Sequence, residues 1–257
     1  MNPDNSFTIR QAIVIGQNKL RDLEESSLII YSILGYVLSY SQAQLWQHMD
    51  NYITREDFKE FSTLIDRAAR HEPLAYILGY ADFYNLRFTV TPDTLIPRPE
   101  SEQIIELALD IVPHPHIIVD VGTGSGCLAL TLAHHLPKSL VYGIDISTRA
   151  LKVAKSNQSR HNIHNVTWLT GSLLEPLSDT SIKPGSIDLI VANLPYISDE
   201  EFEALPDNVK FYEPSLALKS GTDPDVINRQ LIQQSKQWLS PTGRLIYETT
   251  NGKIVQM

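Results

Sequence analysis

Ile117-Ile-Val-Asp-Val-Gly-Thr-Gly-Ser-Gly126 decides the fold. A short run of strand character enters glycines at 122, 124 and 126, and an apolar stretch of helical texture follows. Strand, glycine loop and helix in that order open a parallel sheet covered by helices. In such sheets ligands bind beyond the carboxyl ends of the strands, and glycines let the backbone approach them. Asp145 closes the next strand, Val141-Tyr-Gly-Ile-Asp145. A carboxylate there can take both hydroxyls of a ribose, so loop and acid together point to a cofactor that contains a nucleoside.

A dinucleotide fingerprint calls for glycine or alanine at position 127, which is Cys127 here. The G-x-G-x-G spacing with Asp120 ahead of it suits S-adenosylmethionine instead. That molecule has no pyrophosphate to repel an acid, and it carries a sulfonium cation that tolerates one. The residues expected to hold it are Asp120, Gly122, Thr123, Gly124, Ser125, Gly126 and Asp145. A plain glycine turn in a Rossmann-like domain is the bland alternative, and Asp145 in register weakens it.

The strand Ile187-Asp-Leu-Ile-Val-Ala192 ends in Asn193-Leu-Pro-Tyr196. An asparagine at a strand end, a proline-stiffened turn and an aromatic make a polar clamp beside a flat wall. Methylating a planar nitrogen needs both, because its lone pair is delocalised and weakly nucleophilic. The Asn193 side-chain oxygen and the Leu194 main-chain carbonyl can accept the two N–H groups and favour rehybridisation as the methyl arrives. Pro195 stiffens the turn, and Tyr196 can stack on the acceptor plane. An ordinary loop with a buried tyrosine is the alternative here.

Outward from these motifs, strands and helices alternate. Helices are predicted over 101–112, 125–136, 148–161 and 225–238, and strands over 117–121, 140–144, 166–169, 187–192 and 243–248, giving an α/β fold with a mostly parallel sheet. Upstream, Pro92, Pro97 and Pro99 exclude regular structure, and 79–90 reads as a β-hairpin turning near Tyr84-Asn85. Before residue 78 the apolar spacing is helical, with stripes at Ile13, Leu20 and Leu23, over 28–38, and at Phe58, Phe61, Leu64, Ile65 and Ala68. Thr54 and Asp57 predict a reciprocally capped helix start.

With these residues in hand, the chain resembles the PrmC/HemK family, the N5-glutamine methyltransferases of peptide chain release factors. The similarity runs from about Glu72 to Glu248. It includes Glu72-Pro-Leu-Ala-Tyr-Ile-Leu-Gly79, Leu95-Ile-Pro-Arg-Pro-Glu100 with Glu102, the glycine loop, Asp145, Asn193-Leu-Pro-Tyr196 and Glu213-Pro-Ser-Leu-Ala-Leu218. The resemblance implies a Rossmann-like methyltransferase domain over 97–257, a hairpin linker over 79–96 and a helical partner-binding domain over 1–78. It implies methyl transfer from S-adenosylmethionine to the glutamine of a Gly-Gly-Gln loop. Ser172, Leu173 and Asn193 would add to the cofactor site. Asn193, Leu194, Pro195 and Tyr196 would be catalytic and substrate-binding, with Arg98 and Glu100 shaping the acceptor pocket or pairing with one another.

Three departures stand out. The family has proline where this chain has Leu194, and Asn-Leu-Pro-Tyr also occurs in rRNA adenine dimethylases. Ser172 stands where the family has an acid that contacts adenine. The chain stops at Met257, soon after the fifth strand, where the family continues into a helix and a final antiparallel hairpin. Either a truncated form or a sheet edge left open and in need of a partner is therefore expected.

Charge and composition bound the alternatives. Twenty-one basic against thirty acidic side chains leave a net charge of -9, which disfavours a nucleic-acid grip and suits a basic partner. The single cysteine, Cys127, excludes an internal disulfide, and the opening residues lack the apolar core of a leader, so a cytoplasmic chain is expected. The apolar run over 28–38 is shorter than the roughly 20 residues of a bilayer span. His114 and His116, in a proline-broken linker without a nearby carboxylate or cysteine, read as solvated, and no metal is expected. A monomer is expected, with a release factor as protein partner and nucleic acid disfavoured as substrate. Two rival functions are a nucleic-acid adenine N6-methyltransferase and a non-catalytic S-adenosylmethionine-binding protein.

Overall fold

Residues 7–112 and 114–257 are described in the computed structural model. Residues 1–6, on which the expectation of no leader partly rests, and Pro113 of the linker lie outside the described residues. The chain divides into two compact units, one ending at Leu78 and the other beginning at Gly79.

Helical spacing of apolar residues builds the first unit. Its helices are α1 (Ile9–Lys19), α2 (Ser26–Leu38), α3 (Gln42–Gln47), α4 (Arg55–Ala68) and α5 (Leu74–Leu78). Ile9, Ala12 and Ile13 of α1 meet Ile30, Ile33 and Leu34 of α2 and Phe61 and Ile65 of α4 in one buried cluster. The start of α4 departs from expectation. Thr54 Oγ1 accepts from the Asp57 N–H at 3.0 Å, but the Asp57 carboxylate takes the Thr54 hydroxyl at 2.7 Å rather than the Thr54 N–H. Aspartate is one methylene too short to reach back. Glutamine is long enough, and reciprocal caps form at α1, between Thr8 and Gln11, and at α3, between Ser41 and Gln44.

In the second unit, β1 (Tyr80–Phe83) and β2 (Leu86–Thr89) form the hairpin. Tyr84 and Asn85 both take positive φ, +46° and +61°, the two-residue turn whose twist matches that of paired strands. Phe83 and Phe88 are buried in the core of the same unit. The chain continues through α6 (Glu102–Ile111), β3 (Ile117–Val121), α7 (Cys127–His135), β4 (Leu140–Asp145), α8 (Thr148–Arg160), β5 (Val166–Thr170), β6 (Ile187–Ala192) and β7 (Ile197–Ser198). It ends with α9 (Asp199–Glu203), α10 (Asp207–Lys210), β8 (Lys219–Gly221), α11 (Val226–Trp238), β9 (Leu239–Glu248) and β10 (Ile254–Gln256).

The central sheet has the order β10-β9-β6-β3-β4-β5, with every pairing parallel except β10 on β9. From β3 the chain winds first towards β5 and later towards β9, so the loops after β3 and β6 diverge. That reversal opens a crevice at the carboxyl ends of the strands. Helix α7 starts at Cys127 rather than 125, because Gly124 and Gly126 hold φ of +55° and +82° and keep the loop out of helical geometry. Strand β9 bulges between its pairings of Leu239 with Ile187 and Arg244 with Leu189, which accommodates Pro241.

The expected open edge of β9 is not what the structure has. The chain turns at Gly252, φ +67°, and β10 pairs back with Glu248, Tyr247 and Ile246. The Thr249 N–H to Lys253 carbonyl bond at 2.9 Å closes that turn and makes the antiparallel return possible within a few residues. No helix among the described residues is long and apolar enough to cross a membrane.

One buried side chain stitches the hairpin to the glycine loop. Asn157 of α8 accepts from the Thr89 N–H at 2.7 Å and donates to the carbonyls of Thr89 and Ser125 at 3.0 and 2.9 Å. Replacing it with alanine strands three backbone groups. Asn157→Ala is expected to lower stability by about 2–4 kcal/mol. Urea unfolding should show a lower midpoint at unchanged slope, and an unchanged midpoint would refute the stitching role.

Candidate active site

Each loop at the carboxyl edge is set by a short-range constraint. After β3, the N–H groups of Gly122 and Thr123 both donate to the Ile144 carbonyl at 2.9 Å, and Gly122 takes φ of +73°. A Cβ at Gly122 would lie 2.7 Å from Leu194 Cδ2. After β4, Asp145 Oδ2 accepts from the Gly124 N–H and Oδ1 from the Ser147 N–H, both at 2.8 Å. Burial raises the Asp145 carboxyl, against those two N–H bonds. Each of its oxygens keeps a lone pair for a hydroxyl.

These loops enclose a cavity of about 300 Å³. Of the residues expected from sequence, Gly122, Gly124, Asp145, Ser172, Leu173, Asn193, Leu194 and Pro195 line it. Ile146, 59 % exposed, adds an apolar wall beside Asp145. A second space of about 40 Å³ is lined by Thr123, Ser125 and Arg98 together with Gly122, Gly124 and Asn193. Asn193 therefore stands where the two spaces meet. A close backbone approach at glycine, a carboxylate with free lone pairs and an apolar wall fit the nucleoside half of S-adenosylmethionine.

Four expected residues line neither space. Asp120 is fully buried beneath the loop. Its Oδ2 accepts from the Thr123 hydroxyl at 2.5 Å and the Ala129 N–H at 3.1 Å, while Oδ1 has no partner. Burial pushes its carboxyl up to about 7 against those two bonds. It braces the loop from behind. Gly126 serves packing, since a Cβ there would meet Trp168 at 2.9 Å and Leu130 at 3.1 Å. Glu100 is exposed, and Arg98 pairs not with it but with Glu213 at 2.5 Å. Glu213 is nearly fully buried and also accepts from the Ile96 N–H at 3.2 Å, so one carboxylate satisfies both partners and fixes the proline loop.

Tyr196 is the fourth, and it leads to residues that sequence reasoning missed. Its hydroxyl donates to Glu248 Oε1 at 3.0 Å. Burial and the facing Glu248 push the phenol up to about 12. Ser101 Oγ lies 3.4 Å from Glu248 Oε2, and Asn193 Nδ2 donates to Ser101 Oγ at 2.7 Å. Burial raises the Glu248 carboxyl, with the Tyr196 and Ser101 hydroxyls opposing. Register offered one signal: Tyr247 pairs with Ala192, so Glu248 ends its strand level with Asn193. Cys127 shows no activation, as burial and Asp120 push its thiol up to about 12. Among the described residues, no group of three or more His, Cys, Asp or Glu could hold a metal ion.

Residues 116–256 match the methyltransferase domain family, and residues 11–79 match the PrmC N-terminal domain family. The chain is similar to the release factor glutamine methyltransferase of Geobacter sulfurreducens, at 37 % identity covering 96 % of this chain and 86 % of the relative. The protein of that name from Thermodesulfovibrio yellowstonii is 34 % identical over 86 % of this chain and 78 % of its own. That from Aliivibrio fischeri is 35 % identical over 84 % and 75 %.

The buried acid beneath the loop gives a pH signature. With its carboxyl moved from the ordinary 3.8 to about 7, the folded chain holds a proton that the unfolded chain releases. The stability contribution of Asp120 is thus complete below about pH 4 and declines as pH rises through about 7. Asp120→Asn removes that slope. In thermal unfolding of the ligand-free protein between about pH 5 and 8, the variant should gain on the wild type as pH rises. A difference that does not change with pH would rule out titration of Asp120 in this range.

Proposed function

The chain belongs to the release factor glutamine methyltransferase family, and we propose that it methylates the side-chain amide nitrogen (N5) of the glutamine in the Gly-Gly-Gln loop of a class-1 peptide chain release factor, with S-adenosylmethionine as methyl donor. The polarity of Asn193 carries this reading. With Nδ2 committed to Ser101, Oδ1 is left as an acceptor at the junction of the two spaces. A glutamine amide presents N–H groups to such an oxygen.

The cofactor supplies an electrophilic methyl group on a sulfonium. Gly122 and Gly124 allow close backbone approach. Asp145 would hold the ribose hydroxyls, and Ser172 and Leu173 would border the base. Thr123 and Ser125 border the smaller space, and Asp120 and Gly126 keep the loop in shape. At the acceptor, Asn193 Oδ1 and the Leu194 carbonyl take the two amide N–H bonds. This favours pyramidal nitrogen and offsets the positive charge that grows there as the carbon–nitrogen bond forms. Pro195 stiffens the turn, and Tyr196, outside both spaces in the free chain, would bring its ring against the amide plane as the acceptor enters. No strong base is required, because the alkylated nitrogen releases its proton readily to water. Arg98, held by Glu213, walls the smaller space, and the charge of Glu100 acts on Tyr196 and Glu248. The helical unit over 1–78 would dock the release factor, with the hairpin over 79–96 leading into the catalytic domain over 97–257. The excess of acidic side chains suits a basic partner surface.

Labelled S-adenosylmethionine offered with purified release factor should place label on the Gly-Gly-Gln glutamine. Asn193→Ala should reduce the rate on the order of 10²–10³-fold. Asp145→Ala should weaken cofactor binding by about tenfold in calorimetric titration, the scale of one charge-assisted hydrogen bond. Label on rRNA instead, or full activity of Asn193→Ala, would overturn the assignment.

A further inference from the structure

Glu248 is 5 % exposed, and the chemistry above does not use it. Its main-chain carbonyl is pinned by Asn228 Nδ2 at 3.1 Å, and its two carboxylate oxygens face two hydroxyls, Tyr196 at 3.0 Å and Ser101 at 3.4 Å. An ionised carboxylate only accepts hydrogen bonds. The one proton of the buried Ser101 hydroxyl is therefore drawn towards Glu248, and its lone pairs are left for Asn193 at 2.7 Å. Only the NH₂ end of the Asn193 amide can donate to those lone pairs, so Oδ1 must turn to the cavities.

We propose that Glu248 is a positioning residue that, through Ser101, fixes which way the Asn193 amide points and so restricts the acceptor to groups that present N–H. The proposal deepens the glutamine-methylation reading and rests on it for the identity of the acceptor. A neutral glutamine at 248 can donate as well as accept. Ser101 could then reverse its proton, and Asn193 could flip to set NH₂ against the NH₂ of the substrate amide. Tyr196, bonded to the other oxygen of the same carboxylate, ties the acceptor wall to the same anchor.

The test is Glu248→Gln, close in shape and altered in hydrogen-bond polarity. With release factor as acceptor, kcat should fall about 10- to 100-fold, the effect of misdirecting one hydrogen bond to a developing charge. Cofactor Kd and Tm should stay near wild-type values, whereas a merely structural role would move all three together. Ser101→Ala, which breaks the relay but keeps the carboxylate, should give the same pattern and serves if Glu248→Gln folds poorly. In an Asn193→Ala background, Glu248→Gln should cause no further loss, and a full additive loss would overturn the proposal.

A readout independent of turnover is proton exchange of the Asn193 side-chain NH₂, assigned by its disappearance in Asn193→Ala. Exchange should be slow in the wild type and fast in Glu248→Gln, and equal protection in both would overturn the proposal. If the wild type labels no Gly-Gly-Gln glutamine, the functional reading fails, while the exchange measurement still decides the role of Glu248.

Discussion

A carboxylate with no solvent contact underlies the site. Asp120, the penultimate residue of β3, lies under the glycine loop and binds the Thr123 hydroxyl and the Ala129 N–H, one partner in the loop and one in the first turn of the following helix. Charging a group buried this deeply is costly, and the two bonds offset only part of that cost, so the carboxyl stays well above its ordinary range. The loop is thereby held against the sheet from below. Its upper surface is left to glycines whose positive φ angles turn the backbone towards the cavity. Asp145 grips the same loop from the neighbouring strand through Gly124. Two acids on adjacent strands thus hold one loop, and only the second borders the cavity.

A single carboxylate also organises the opposite side. Glu213 binds Arg98 and the Ile96 N–H, joining the proline-rich loop to the segment that follows α10. The Arg98–Glu100 pair weighed from sequence is close along the chain, yet the turn at Pro99–Ser101 leaves Glu100 in solvent and gives Arg98 a buried partner. Such a pairing fixes geometry more surely than it adds stability, because the guanidinium remains partly hydrated.

What could be read from sequence followed from local periodicity. The glycine loop, the acid closing β4, the alternation of strands and helices, and the Asn193 turn each sit within a few residues of their cause. The type of hairpin turn was not legible, because Tyr84 is not a residue that ordinarily takes positive φ. The β7–β8 ribbon and the short helices between its strands carry too few residues for a period to emerge. The relay around Asn193 was hidden for another reason. Ser101 lies 92 residues from Asn193 and 147 from Glu248; the register of β6 on β9 sets the latter two level, and the turn at Pro99–Ser101 brings the hydroxyl to them. Asp120 differs for a local reason: its place before the glycines suggests contact with the ligand, but strand alternation turns its side chain under the loop, where it is fully buried.

Leu194 stands where the resembled family has proline, and its side chain lies over Gly122 so closely that a single methyl at 122 would collide with it. The residues at 122 and 194 therefore share one allotment of volume, although one belongs to the loop after β3 and the other to the loop after β6. Bulk gained at either position must be surrendered at the other. A smaller residue at 194 would clear that space, yet 122 would still favour glycine, because its φ of +73° is one that other L residues rarely adopt. Position 122 is thus closed twice, once by a neighbour across the crevice and once by its own backbone.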